Sequence, residues 1–146
     1  MSSMTSTRTD SAMKAEERQQ GRVALDPSSL LGTWVTTNSA SRGIVRVNLA
    51  VKEGAFTVQI FGACEPTPCD WGEVEGPLFA DGFDSPLGTN FGAFYDFGFM
   101  NVRLQGYVKQ GVLVIVSFNR FKDGSGRSNY FGKEFFFKVG ATGESE

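Results

Sequence analysis

The alternation of apolar and polar residues, with a period of two, constrains the fold of this 146-residue chain more than any other feature. Residues 100–109 alternate between apolar residues or glycine and polar residues, and residues 45–51 and 56–60 follow the same pattern. A period of two places successive side chains on opposite faces of a β-strand, and helical periodicity is poor in this region. The pattern therefore predicts half-buried antiparallel strands.

Short turn sequences separate these segments. Lys52-Glu53-Gly54 and Gln110-Gly111 fit tight hairpins, and residues 123–126 offer glycines for a positive φ. We therefore predict an all-β, antiparallel, up-and-down eight-stranded barrel. A sandwich is the alternative, but long even strands rich in Phe would then leave two apolar edges exposed. The eight predicted strands are residues 32–37, 43–51, 55–62, 70–79, 91–97, 99–109, 111–121 and 128–139.

The two ends of the chain are less suited to a core. Residues 1–25 are rich in Ser, Thr and charged residues and contain no Phe, Trp, Tyr or Ile, so we expect a disordered tail. A lid that folds over a binding mouth is the alternative. We expect the barrel domain to span residues 26–139, with residues 140–146 as a second disordered end. The tail lacks the apolar region of a secretory signal, which predicts a cytoplasmic protein.

Composition excludes several kinds of site. The chain contains no histidine, which removes Ser-His-Asp and Cys-His catalytic sites and most zinc sites. The net charge of −2 argues against a nucleic-acid partner, and no apolar run approaches the roughly 18 residues of a membrane span. Neither an EF-hand nor a phosphate-binding glycine loop is present. We therefore expect no metal, cofactor, nucleic acid or membrane as partner, and we leave a homodimer open.

Residues 26–34 carry a family resemblance. Residues 26–31 form a predicted short turn, with Pro at its first position, that runs into Gly32-Thr33-Trp34 at the first strand. A turn followed by Gly-x-Trp, together with eight predicted strands, resembles the calycin superfamily of lipocalins, fatty-acid-binding proteins and avidins. The resemblance implies a barrel plugged at its closed end by this Trp, with the Gly allowing the turn to approach closely. It also implies a basic residue of a late strand against the Trp, a role for Lys133 or Lys138.

The predicted interior combines bulky rings with glycine. The chain has 14 Phe and 18 Gly, and several glycines, such as Gly62 and Gly132, lie within or beside predicted strands. This mixture could form a flat, aromatic-lined slot; the alternative is that the glycines curve the barrel and the rings fill it. The candidate ligand-binding residues are Trp34, Trp71, Phe94, Phe97, Arg103, Tyr107, Phe118, Arg120, Tyr130 and Phe135.

Tyr95 and Glu134 are the candidate catalytic residues, because each lies among aromatic neighbours. A phenol or carboxyl group in apolar surroundings can serve as a general acid or base. The alternative for Glu134 is a buried ion pair with Arg103 or Arg120.

Cys64 and Cys69 flank a gap that two prolines stiffen. The spacing permits either a small disulfide loop or two free thiols, and it is not the spacing of a redox Cys-x-x-Cys. We interpret the segment as a structural loop in which Asp70 caps the turn. Trp71 is expected to pack over the barrel mouth, with stacking on a ligand as the alternative.

Three functions are compatible with these features. The first is binding of a small, mostly apolar or aromatic molecule inside the barrel cavity. The second is a cofactor-independent cyclase or isomerase that folds a polyketide- or terpenoid-like metabolite into a reactive conformer, with Tyr95 or Glu134 as hydrogen-bonding group. The third is a packed barrel without a cavity that works as an interaction module. The sequence does not decide whether the protein is an enzyme.

Overall fold

The computed structural model describes residues 25–141. Nearly all of the predicted N-terminal tail, including its alternative as a lid, and residues 142–146 lie outside the described residues.

The described chain folds into nine β-strands that form one antiparallel sheet. The all-β prediction is confirmed. The strands are β1 (Gly32–Thr36), β2 (Ile44–Lys52), β3 (Ala55–Gly62), β4 (Cys69–Glu75), β5 (Leu78–Phe79), β6 (Asn90–Asp96), β7 (Met100–Lys109), β8 (Val112–Phe121) and β9 (Tyr130–Ala141).

The prediction of eight strands is wrong at one place, because the predicted strand 70–79 is divided into β4 and β5. The break falls at Gly76 and Pro77, and Pro77 has no N–H to donate to a ladder. The Gly76 N–H donates to the carbonyl of Phe56 on β3 at 3.1 Å, whereas the Pro77 carbonyl accepts from Gly92 on β6 at 3.1 Å. The chain therefore changes neighbours between these two residues.

The prediction of a closed barrel is also wrong, because the sheet is a curled half-barrel. The strand order is β4-β3-β2-β1-β9-β8-β7-β6-β5, so the first strand pairs with the last, as a barrel requires, but no ladder joins β4 to β5. The physical reason is the shortness of β5, which has two residues and pairs with β6 alone. Closure of the calycin type is therefore not present.

The predicted hairpin turns are confirmed by their backbone angles. Glu53 and Gly54 have φ of 53° and 80°, and Gln110 and Gly111 have φ of 54° and 81°. Two successive residues with positive φ are the signature of the type I′ turn, whose twist matches that of the flanking strands.

The core lies on the concave face of the sheet. Alternate residues of the long strands point into it, and every strand except β4 and β5 contributes a side chain with almost no solvent contact. The largest of these fully buried side chains are Trp34, Phe91, Phe136, Leu49, Ile60, Leu104, Leu113, Ile115, Val47, Val58 and Val102. Burial of these side chains stabilises the curled sheet. Each fully buried apolar side chain contributes roughly 1.5–3 kcal/mol to the free energy of folding, relative to the same side chain in water.

Candidate functional site

Trp34 fills one end of the half-barrel. Its indole N–H donates to the carbonyl of Leu30 in the entering turn at 2.9 Å, and both residues are buried. The Lys138 ammonium on β9 lies 5.2 Å from the centre of the Trp34 ring, a cation–π contact. Gly32 has φ of 137°, and a Cβ on it would collide with the carbonyl oxygen of Gly140. The turn thus packs against this end, as the resemblance implies.

The opposite end, where β9 begins, is open and holds a cavity of about 200 Å³, which we call the mouth cavity. Apolar side chains from β2, β4, β7 and β8 form its walls, and polar side chains from β8 and β9 reach into it. The lining residues used below are Trp71, Met100, Ile115, Ser117, Asn119, Tyr130 and Glu134.

Ser117 and Asn119 are polar residues on the core-facing side of β8. The Asn119 amide donates to the Ser117 hydroxyl at 2.9 Å and to the carbonyl of Tyr130 at 3.2 Å, and both side chains are buried. The Ser117 hydroxyl accepts this bond and donates none to another described residue, so its proton is available to a ligand.

Glu134 reaches the same cavity from β9. Its Oε2 accepts a hydrogen bond from the Ser41 hydroxyl at 3.0 Å, which leaves Oε1 as a further acceptor. The alternative ion pair with Arg103 or Arg120 is wrong, because Glu134 is on the concave face and both arginines are on the outer face of their strands.

Three glycines leave room for side chains that line the mouth cavity, because a Cβ at each of them would collide with one of these side chains. A Cβ on Gly132 would lie 2.6 Å from the Ser117 hydroxyl, and one on Gly43 would lie 2.8 Å from Glu134 Oε2. A Cβ on Gly62 would lie 2.7 Å from the Trp71 indole nitrogen. The predicted combination of rings and strand glycines is present at the mouth and again in the core, where a Cβ on Gly106 would collide with the Phe91 ring.

Trp71 forms the aromatic wall of the mouth cavity. Its ring meets Tyr95 at 5.5 Å and Phe97 at 5.3 Å, in both cases edge to face. Asp70, the preceding residue, accepts from the Gly72 backbone N–H at 2.8 Å, so its predicted capping role is confirmed. The two ring contacts hold the Trp71 indole at the wall of the cavity.

Tyr95 lies behind this wall, in the core. Its hydroxyl donates to the carbonyl of Gly72 at 2.7 Å, with the carbonyl of Val58 at 3.2 Å as a second acceptor. Burial raises the pKa of Tyr95 to about 12. The hydroxyl is therefore neutral and engaged with the backbone, and the catalytic roles of Tyr95 and Glu134 stay predictions.

Cys64 and Cys69 form a disulfide beside the mouth cavity. The structure thus selects the bridge over the two free thiols. Disulfides are typical of oxidising compartments, so such a compartment is the alternative to the cytoplasm. The cytoplasmic location stays a prediction.

The predicted ligand-binding residues fall into separate places. Trp71 and Tyr130 line the mouth cavity and Phe97 packs behind it, whereas Trp34 fills the far end. The others lie on the outer face: Phe94, Arg103, Tyr107, Phe118, Arg120 and Phe135.

Sequence reasoning missed Ser117, Asn119 and the Ser41 partner of Glu134. One signal was present, because Ser117 and Asn119 are in phase with Leu113 and Ile115 along β8. Polar residues on the apolar phase of a strand mark a polar pocket or a strand end. Ser41 is in a loop, and nothing in its local sequence indicates that it reaches β9.

Comparisons with known proteins find no match to this chain among family models, curated proteins or solved structures. Within residues 25–141, no helix is long and apolar enough to cross a membrane. The same residues contain no cluster of Cys, Asp and Glu arranged to hold a metal ion.

Proposed function

We propose that the protein binds a small, mostly aromatic organic molecule in the mouth cavity, with the ring against Trp71 and a polar group toward Ser117 and Glu134. The observation that carries this proposal is the pairing of an aromatic wall with hydrogen-bonding capacity that the protein itself does not use. Specific ligand sites typically combine apolar walls with a few such polar groups.

The size of the cavity limits the ligand. Its volume of about 200 Å³ is below the roughly 300–1,000 Å³ typical of sites for drug-sized molecules. A single-ring compound fits this space, and a longer one would extend past Tyr130 at the rim. Glu134 favours a ligand whose polar group donates, such as a phenol or an aromatic amine.

The arrangement at the closed end supports a distant calycin-like relation, which we propose together with the binding function. Trp34, the entering turn and Lys138 provide the three parts that the resemblance calls for. The open side between β4 and β5 is the departure from that pattern. An experimental structure in which Lys138 does not lie over Trp34 would contradict the relation.

Binding is tested with the full-length chain and a panel of single-ring phenols, aromatic amines and monoterpenoid-like alcohols. Amide chemical shifts are followed by NMR. We expect shifts at Ser117, Asn119 and Gly132, together with quenching of Trp71 fluorescence. Binding that shifts only outer-face residues, or no binding across the panel, would contradict the proposal.

Two variants test the polar contacts. We expect Ser117→Ala and Glu134→Gln each to weaken binding of a phenol, which can accept from Ser117 and donate to Glu134, about tenfold, the equivalent of 1.4 kcal/mol. Ser128→Ala and Glu53→Gln, at exposed positions in turns, are the matched controls and should bind as the wild type does.

The cyclase or isomerase alternative requires that the ligand is converted. It rests on Glu134 rather than Tyr95, because the Tyr95 hydroxyl is engaged with Gly72. Mass spectrometry and NMR of the recovered panel compounds separate the two functions: unchanged compounds favour binding, and a product whose formation is lost in Glu134→Gln favours catalysis.

A further inference from the structure

The outer face of β6–β9 presents an unusual density of exposed phenyl rings. Five of them, here called the aromatic face, are each between 42% and 57% exposed: Phe94, Phe118, Phe131, Phe135 and Phe137. Phe94, Arg103, Phe118 and Phe131 are direct cross-strand partners in one row across β6, β7, β8 and β9. Phe94, Phe118 and Phe131 therefore form one row with Arg103, and Phe135 and Phe137 continue the exposed rings along the same face of β9.

The area of this surface is close to what one side of a stable interface requires. Taking roughly 200 Å² for a Phe side chain, the five half-exposed rings offer about 500 Å² of apolar surface. A standard interface buries about 800 Å² on each partner, and somewhat more than half of that is apolar. An apolar patch of this size on a lone monomer is at the upper end of the usual range.

A groove of about 580 Å³ lies on the same face, beside β5. Pro77 and Phe79 form one wall, and Phe94, Arg103 and Phe118 form the other side. The Arg103 guanidinium lies 4.9 Å from the centre of the Phe94 ring, a cation–π contact on this side of the groove. Such a groove can receive an aromatic side chain, the usual anchor of a protein interface.

Charge is distributed unevenly along this face. Glu75 and Asp81 border the groove at the β5 side, whereas Lys133 stands among the rings at the β9 side. The grooved end therefore carries Glu75 and Asp81 on one wall and Arg103 on the other, whereas Lys133 is at the protruding end. A two-fold rotation about an axis near β7 and β8 places Lys133 of one copy over the wall with Glu75 of another.

We propose that the aromatic face pairs with the same face of a second copy of this chain, in a two-fold dimer. Phe131 and Phe135 of each copy enter the groove of the other, and Lys133 of each copy faces Glu75 of the other. A second copy covers the exposed rings, fills the groove and brings Lys133 opposite Glu75. An anionic lipid surface would match Lys133 and the rings but would be repelled by Glu75 and Asp81.

The test is the mass of the full-length chain, measured by sedimentation equilibrium over a concentration series. We expect a monomer–dimer equilibrium that Phe131→Ser weakens at least tenfold. Phe99→Ser, which removes a similarly exposed ring from the β6–β7 turn, is the matched control and should leave the equilibrium unchanged.

Charge reversal tests the reciprocal pairing. Because a two-fold interface repeats each contact, Lys133→Glu and Glu75→Lys should each weaken dimerisation at least tenfold, and the double variant should restore most of it. Lys52→Glu, a reversal on β2 where Lys52 pairs with Glu73, is the control for net charge.

Four outcomes would overturn the proposal. A monomer at every concentration, or a dimer insensitive to Phe131→Ser and to both reversals, excludes this face as the interface. Growth into larger assemblies indicates head-to-tail contacts instead of a two-fold pair. A monomer that sediments with anionic phospholipid vesicles, and no longer does so after Phe131→Ser, assigns the face to a lipid surface.

Discussion

At the scale of single residues, Tyr95 connects three strands through one hydroxyl group. It is carried by β6, and its proton is shared between carbonyls of β3 and β4. Since β4 has no ladder with β5, this side-chain bond is one of the contacts that keep the β4 edge against the rest of the sheet. A buried acceptor that loses its donor costs more free energy than an exposed one.

We expect Tyr95→Phe to lower the free energy of unfolding by about 1–2 kcal/mol at neutral pH, because the Gly72 carbonyl loses its donor. Urea unfolding followed by fluorescence measures the change. Tyr130→Phe, at an exposed position whose hydroxyl makes no hydrogen bond with a described residue, is the control. Equal stability of the two variants would contradict the structural role of Tyr95.

The same residue predicts how stability changes at alkaline pH. Its pKa is raised from 10.0 to about 12 by burial, so between these values the unfolded chain ionises while the folded chain does not. Stability is therefore unaffected by this group below pH 10 and falls as the pH rises toward 12. Tyr95→Phe should show a smaller fall from pH 9 to pH 11.5, and an unchanged slope would contradict the assignment.

At the scale of elements, the hairpins are set by local chemistry. The β2–β3 and β7–β8 turns place Glu53 and Gln110 at positive φ, each followed by Gly. A type I′ turn favours Asn at the first of these positions, because Asn tolerates the left-handed region better than residues with longer side chains. Both turns therefore have the type I′ geometry, but Glu53 and Gln110 favour this geometry less than Asn would.

We expect Gln110→Asn to raise the free energy of unfolding by about 0.5 kcal/mol and Gly111→Ala to lower it by about 1 kcal/mol or more. Gln110 is exposed, and a Cβ on Gly111 meets no atom within 4 Å, so the effect at Gly111 comes from its positive φ. Thermal unfolding of both variants measures the difference. Destabilisation by Gln110→Asn would show that the turn is not type I′ in solution.

At the scale of the whole molecule, the open side of the half-barrel is held at Gly76. A Cβ on this residue would collide with the backbone carbonyl of Gly92 on β6. This backbone contact draws the β4–β5 connection against β6 and brings the two ends of the sheet together without a ladder. A flexible side chain could move away from a new Cβ, but a carbonyl within a strand cannot.

We expect Gly76→Ala to lower the free energy of unfolding by about 1–3 kcal/mol and to increase hydrogen exchange in β4 and β5. Gly82→Ala is the control, since its Cβ would meet only the Asp84 carboxylate at an ordinary 3.6 Å. If Gly76→Ala is as stable as Gly82→Ala, the close approach to β6 does not hold the open side.

The elements and the turns could be predicted because their signals are local. Strand β3 has the predicted bounds, and the Gln110-Gly111 turn has the predicted geometry, since alternation and turn residues act over a few positions. The break at Gly76 and Pro77 also had a local signal, the missing N–H of Pro77, which the alternation on either side concealed.

The candidate site could be predicted only in part. Glu134, a candidate because of its aromatic neighbours, meets two predicted ligand-binding residues, Trp71 and Tyr130, at the mouth cavity. Phe94, Arg103 and Phe118 were candidates too but lie on the outer face, because the phase of a strand is fixed by its partners and not by its neighbours in sequence.

The all-β class, the antiparallel hairpins and the entering turn with Gly32 and Trp34 follow from the amino-acid sequence alone, since each depends on residues close together in the chain. The opening of the sheet between β4 and β5, the contact of Ser41 with Glu134 and the outward orientation of particular rings are set by the folded chain. These depend on contacts between residues far apart in sequence, whose formation is governed by register, curvature and steric fit across the whole sheet.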